Sequence, residues 1–162
     1  MKIFHIIGCE CSGRIVVAGA ISLANKNVAI WDIYQDFYIA HEIMTATSVD
    51  WTKYRSMLKV LEEDLTKFIK KNKDDKHIII VSTGINPNVN KTITTFRPIV
   101  PVVMEILSND EMKIRAEERD ADPHRVIDFS KTWQEKTKNM NLPASLSEIE
   151  ATRFIQREIL NT

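Results

Sequence analysis

The first fifteen residues constrain this chain more than any other stretch. Lys2-Ile3-Phe4-His5-Ile6-Ile7 reads as a short buried strand, and it runs directly into Gly8-Cys9-Glu10-Cys11-Ser12-Gly13-Arg14-Ile15. An apolar helical stretch from Val16 to Leu23 follows. Glycines at both ends of such a loop let the backbone turn tightly, so that several N–H groups converge on one point. The helix behind it adds the positive end of its dipole, so the arrangement suits an anion whatever the side chains are. A glycine-bounded turn with no ligand is the competing account, and the placement between a strand and a helix weighs against it.

The spacing is that of a phosphate-binding P-loop: Gly, four free residues, Gly, Lys, then Ser or Thr. Both glycines fit, but Arg14 stands in place of Lys and Ile15 in place of the hydroxyl residue. Arg14 keeps a positive charge in a planar, bulkier group that does not mimic a point charge. Ile15 has no oxygen, so the usual hydroxyl ligand for Mg²⁺ is absent, and Ser12 is the nearest substitute. The candidate phosphate-side residues are therefore Gly8, Cys11, Ser12, Gly13, Arg14 and Ile15.

Composition narrows the class. The 162 residues carry 22 Lys+Arg and 22 Asp+Glu, a formal net charge of zero. That balance argues against holding nucleic acid by bulk electrostatics. The length suits a single domain over residues 1–162 with one substantial core. No apolar run approaches the roughly 18 residues of a membrane helix, and no cleavable signal pattern opens the chain. Cys9 and Cys11 stand two apart, too close for an ordinary structural disulfide and too few for a zinc site. The expectation is a cytoplasmic protein with reduced thiols.

Strand and helix patterns alternate along the chain. After the first strand come candidates at Asn27 to Ile33, His77 to Val81 and Ile99 to Leu107, with Pro98 and Pro101 marking the entry of the last. The run His77-Ile78-Ile79-Ile80-Val81 is continuously apolar, as in strands covered on both faces of a parallel sheet. A fifth strand is expected at Leu142-Pro143-Ala144 or Val126-Ile127-Asp128-Phe129. Trp51, Tyr54, Leu58, Leu61, Leu65 and Phe68 recur at helical spacing and form one apolar stripe. Asp50 or Ser48 is placed to cap that helix. Ser108-Asn109-Asp110-Glu111 has the form of a capping box and opens a helix through Arg119. Ser145-Leu146-Ser147-Glu148 repeats the form and opens a C-terminal helix with Ile149, Ile155 and Ile159 inward. The expected fold class is α/β, three layers, with a mostly parallel sheet of about five strands.

With the loop at its start, the chain resembles P-loop nucleoside and nucleotide kinases. Tyr34-Gln35-Asp36-Phe37-Tyr38 looks like the Q-D-x-F-Y region of uridine kinases, with one residue missing. In that family the aspartate accepts the proton of the attacking hydroxyl. The resemblance carries this role to Asp36, or to Asp32 if the strand ends earlier. The segment from Val103 to Asp120 resembles the fourth strand and lid-entry helix of small-molecule kinases. Arg115 and Arg119 project from one helical face, and Arg125 follows the Asp120-Ala121-Asp122-Pro123 turn. Guanidiniums around a moving phosphoryl group are the usual answer to its charge; surface pairing with Glu111, Glu117 or Glu118 is the competing use.

The resemblance implies ATP or another nucleoside triphosphate as cofactor, with or without Mg²⁺, and a nucleotide or nucleoside as partner. Departures matter equally. The third strand ends in Ser82-Thr83-Gly84, with no carboxylate to orient a metal, so with Ile15 two magnesium handles are missing. No metal-ligating set is identified; His41, His77 and His124 lack the spacing, and His5 suits a satisfied core position. Trp31, Phe37, Tyr38 and Trp51 offer surfaces for a base or for core packing. The alternative function is a catalytically inactive kinase-fold protein that binds a nucleotide or a protein partner.

Overall fold

The computed structural model describes residues 1–33, 39, 50–96 and 98–162. Among them are four strands: β1 (Ile3–Ile7), β2 (Val28–Asp32), β3 (His77–Ser82) and β4 (Ile99–Val103). Six helices accompany them: α1 (Arg14–Ala24), α2 (Trp51–Asn72), α3 (Pro87–Thr94), α4 (Asn109–Glu118), α5 (Pro123–Thr137) and α6 (Glu148–Leu160). The sheet runs in the order β2-β3-β1-β4, and every pairing is parallel. Parallel neighbours need crossovers, and the helices supply them on both faces.

The burial pattern follows from that topology. β1 and β3 lie in the middle and are buried at every residue, which explains their unbroken apolar runs. On one face Phe4, Ile6, Ile79 and Val81 meet Val17 and Ile21 of α1 and Ala151 and Ile155 of α6. On the other, Ile3, Ile78 and Ile80 meet Leu58, Leu61, Leu65 and Ile69 of α2 and Val89 and Ile93 of α3. Phe129 and Trp133 of α5 cover Ile7, Cys9 and Val103, so α5 closes the end of the sheet at which the loop emerges.

Four expectations change in detail. The strand count is four among the described residues: Leu142-Pro143-Ala144 forms no strand, and a single parallel bridge joins Met104 to Leu146 just beyond it. Glu105 N–H donates to the Leu146 carbonyl and Leu146 N–H to the Val103 carbonyl, both at 2.8 Å. Val126 to Phe129 lies in α5 instead, behind the cap that Asp122 makes to His124 N–H. Pro101 sits in the middle of β4, not at its entry. Met104 N–H points to Ile7 of β1 and Glu105 N–H away from it, so Pro101 shares the outward parity and withdraws no bond from β1.

The C-terminal helix begins two residues later than its first S-x-x-E frame suggests. Its capping box is Ser147 with Glu150, and both reciprocal hydrogen bonds are present. Ile149 is consequently 64% exposed, while Ile155 is buried. Glu148 is released from capping.

Candidate functional site

The loop leaves β1 at Gly8 and ends at Gly13, the residue before α1. Cys11 has φ 64 and Gly13 φ 88, both left-handed, so the chain curls twice before the helix starts. Alternation of left- and right-handed backbone is how N–H groups are turned toward one concavity. Gly13, the N-cap residue of α1, has no side chain with which to cap it. A Cβ built on Gly8 would lie 2.5 Å from Ser12 Oγ and 3.1 Å from Met104 Cβ, so only glycine fits the crossing. Ser12 is buried within the loop, and its hydroxyl has no hydrogen-bond partner among the described residues.

A cavity of about 780 Å³ opens over this loop. The loop lines it from Glu10 to Ile15; Val16 of α1 and Asp32 and Ile33 at the end of β2 continue the wall. Opposite stand Glu111, Ile114, Arg115 and Glu118 of α4, then Arg119, and Glu148 at the start of α6. Open parallel sheets place ligands at the carboxyl ends of their strands, and this cavity lies there.

The arginines differ in what they touch. Arg115 donates through Nη1 to the Cys11 carbonyl at 3.4 Å and to the Glu148 carboxylate, and through Nε to Glu111 at 3.3 Å. Burial works against its charge, but Glu148 and Glu111 outweigh that and hold its pKa above the ordinary arginine value. Arg119 reaches Cys11 Sγ at 3.4 Å, and among the described residues it forms no ion pair with a carboxylate. Arg125 lies outside the cavity lining, clasping Glu10 with two bonds of 2.8 and 2.9 Å. Its hydrogen bonds to Glu10 raise the Arg125 pKa against the effect of burial. That fork ties α5 to the loop.

Asp32 ends β2, is exposed, and lines the cavity. Asp36 lies outside the described residues, as do Phe37, Tyr38, His41 and Ser48. Asp50 caps α2 by accepting from Thr52 N–H. Trp31 packs edge-on against Phe68, with ring centroids 4.8 Å apart, while Trp51 is 44% exposed.

Magnesium finds little here. Ile15 is 51% exposed and offers only carbon where an oxygen ligand is needed. Among the described residues no cluster of three His, Cys, Asp or Glu is arranged to hold a metal ion. At the end of β3, Ser82 Oγ lies 2.5 Å from His5 Nε2 and accepts from Gly84 N–H at 3.1 Å. Burial, with a smaller contribution from the Arg14 charge, lowers the His5 pKa to about 4, so it is neutral in its core position. Burial pushes the Cys9 thiol up to about 11, so it is no nucleophile, and Cys9 and Cys11 are both free.

Two participants escaped the sequence: Glu10 and Glu148. The one available signal was the second S-x-x-E frame, Ser147 to Glu150, which frees Glu148. The donor side therefore suits a phosphate through its backbone, its buried hydroxyl and its guanidiniums, whereas the position of the usual magnesium hydroxyl is taken by the carbon side chain of Ile15.

No protein-family model matches the chain, and no curated protein matches it. Solved structures do. A gluconokinase from Sinorhizobium meliloti 1021 superposes with a TM-score of 0.61 at 12% identity, covering 99% of this chain and 94% of its own. The tunicamycin resistance protein of Deinococcus radiodurans gives a TM-score of 0.60 at 8% identity, with coverage of 99% and 94%. A shikimate kinase from Aquifex aeolicus vf5 gives 0.55 at 14% identity, with coverage of 99% and 97%. The chain has a P-loop kinase-like fold. At these identities the likeness shows the fold alone. No helix among the described residues is long and apolar enough to cross a membrane.

Proposed function

We propose that this chain binds a nucleoside triphosphate, ATP or a close relative, at its glycine loop and transfers a phosphoryl group to a nucleoside, nucleotide or similarly small hydroxyl acceptor. The supporting observation is convergence. Arg14, Arg115 and Arg119 line one cavity with the N-terminal turn of α1, and Asp32 lines the same cavity.

In this reading the loop N–H groups hold the donor phosphates, and Arg14 and Arg119 neutralise them. Asp36 or Asp32 accepts the proton of the acceptor hydroxyl. The acceptor oxygen forms its bond to the terminal phosphorus as the bridging oxygen leaves with its electron pair on the nucleoside diphosphate. Arg125 steadies the loop through Glu10. No step is assigned to a metal.

The second reading is nucleotide binding without transfer. The exposed Ile15 and the engaged Ser82 favour it, because both positions where a metal would be anchored are without suitable oxygens.

Calorimetric titration with ATP, with and without Mg²⁺, together with turnover on a panel of nucleosides and nucleotides, separates these readings. If transfer occurs, Asp36→Asn or Asp32→Asn should lower turnover by roughly 10²–10⁴-fold while ATP affinity holds. Binding with no transfer to any acceptor selects the second reading. No binding at millimolar ATP defeats both.

A further inference from the structure

The loop already has an anion beside it. Glu148 is the first residue of α6, and its carboxylate accepts from Arg115 while lying against Gly13 at the start of α1. A Cβ on Gly13 would fall 2.6 Å from both Cγ and Cδ of Glu148. The carboxylate thus stands where two helices, α1 and α6, present their positive ends, and where the charge of Arg115 is directed. These are the features that make the loop attractive to a phosphate. Ser12 supplies an independent sign of a ligand: its side chain is buried, it lines the same cavity, and its hydroxyl has no partner among the described residues.

We propose that Glu148 is an internal competitor for the loop: it occupies the anion position, and a phosphate ligand enters by exchanging with its carboxylate on Arg115. This rests on reading the loop as a phosphate site and adds how access to that site is set. Exchange requires no unfolding, because the Arg115 and Glu148 side chains are 27% and 28% exposed, so water can take over the released carboxylate. Helix α6 keeps its cap throughout, since Ser147 and Glu150 form it without Glu148. Arg115 also keeps Glu111 and the Cys11 carbonyl, so it stays poised over the loop when Glu148 leaves. The surrounding charge makes the competition effective. The cavity is lined by the carboxylates of Glu10, Asp32, Glu111, Glu118 and Glu148 against the guanidiniums of Arg14, Arg115 and Arg119. A ligand of several negative charges meets that excess, and Glu148 is the carboxylate nearest the loop glycine.

The test uses inorganic pyrophosphate, without metal, titrated calorimetrically into the full chain, into Glu148→Gln, into Arg115→Ala and into the double variant. Glutamine keeps the shape and removes the charge. Glu148→Gln should bind pyrophosphate about tenfold more tightly than the wild type. Arg115→Ala should cost more affinity in the Glu148→Gln background than in the wild type, where Arg115 must first be taken from Glu148. Melting curves confirm that each variant is folded. Wild-type binding that Glu148→Gln leaves equal or weakens overturns the competitor role and leaves the phosphate reading standing; Glu148 would then brace the site through Arg115. Failure of both the wild type and folded Glu148→Gln to bind at millimolar pyrophosphate overturns the phosphate reading and the competitor with it.

Discussion

The ends of β1 and β3 lie side by side in the sheet and have been treated differently. After β1, the anion-binding features belong to the backbone: a glycine crossing at Gly8, left-handed turns at Cys11 and Gly13, and a helix N-terminus. After β3, the useful features would belong to side chains, and Ser82 is already engaged by His5 and by Gly84 N–H. In the function proposed above, the backbone would supply one half of the site, whereas the side chains that would supply the other half are turned inward. The same division recurs at the loop, where Arg115 and Arg125 are held by Glu148 and Glu10. The backbone geometry rests on two glycines, both of which are present, while a metal handle disappears with one oxygen.

The largest test acts on the backbone half. Gly13→Val places a branched side chain at φ 88 and drives it into Glu148. The strain costs about 1–3 kcal/mol of stability. A ligand at a hundred times its Kd stabilises a protein by about 2.7 kcal/mol, which raises Tm by several degrees. Pyrophosphate should raise the wild-type melting temperature in this way and leave that of Gly13→Val unchanged. A preserved shift would mean that the anion is held by side chains, and the contrast between the two strand ends would collapse.

The next acts on the inward half and reads pH. Folded His5 titrates at about 4, against an ordinary value of 6.5, because it is buried and because Arg14 is near. The unfolded chain therefore takes up this proton first. The contribution of His5 to stability is complete above pH 6.5 and is lost as the pH falls toward 4. At 1.36 kcal/mol per pKa unit, the loss amounts to roughly 3 kcal/mol at most. His5→Leu should flatten the slope of urea-unfolding free energy between pH 7 and pH 4 by that order. An unchanged slope would show that His5 is not held neutral by the core.

What the sequence disclosed follows the same division. The runs at Ile3 to Ile7 and His77 to Val81 announce strands covered on both faces, because burial on two sides leaves no polar alternation to misread. Ser108 with Glu111 is local, and Ser108 caps the helix by accepting from Glu111 N–H, although the Glu111 carboxylate turns to Arg115 and does not complete the box. Ser145-to-Glu148 and Ser147-to-Glu150 are equally good capping frames in one dimension. The parallel bridge from Leu146 to Met104, which keeps residue 146 extended, decides between them. Glu10 and Arg125 stand 115 positions apart, so no spacing rule joins them. Arginines read as phosphate ligands and arginines paired with carboxylates carry the same sequence signal, and only packing assigns the partner.

Arg119 offers a smaller and sharper test. It is the cavity-lining arginine that contacts the loop through Cys11 Sγ without a carboxylate partner among the described residues. Arg119→Ala should weaken a nucleoside triphosphate about tenfold and a nucleoside hardly at all, since a charge-assisted bond to phosphate is lost. If Arg119 serves only at the surface, the change costs well under about 1 kcal/mol of stability and leaves binding alone. Equal losses for nucleoside and triphosphate would assign Arg119 to the base or the sugar.

The smallest expected effect comes from restoring one oxygen. Ile15 stands in the first turn of α1, 51% exposed and lining the cavity. A serine there returns a hydroxyl to the position that the P-loop pattern reserves for a magnesium ligand. The exposed site tolerates the change, because little apolar burial is lost and the helix begins in the same way. One hydroxyl does not make an octahedral site, since Mg²⁺ keeps several waters and draws its other ligands from phosphates and carboxylates. The wild type should therefore bind ATP with nearly the same affinity with and without Mg²⁺. Ile15→Ser should introduce a preference for Mg²⁺ of roughly three- to fivefold, about the worth of one modest interaction. Combining it with Glu148→Gln should leave that preference intact, because the carboxylate competes for the anion and the hydroxyl serves the cation. A wild type that already binds ATP far more tightly with Mg²⁺ would mean that Asp32, Asp36 or Glu105 supplies the missing ligand, and the side-chain half of the site would then be present after all.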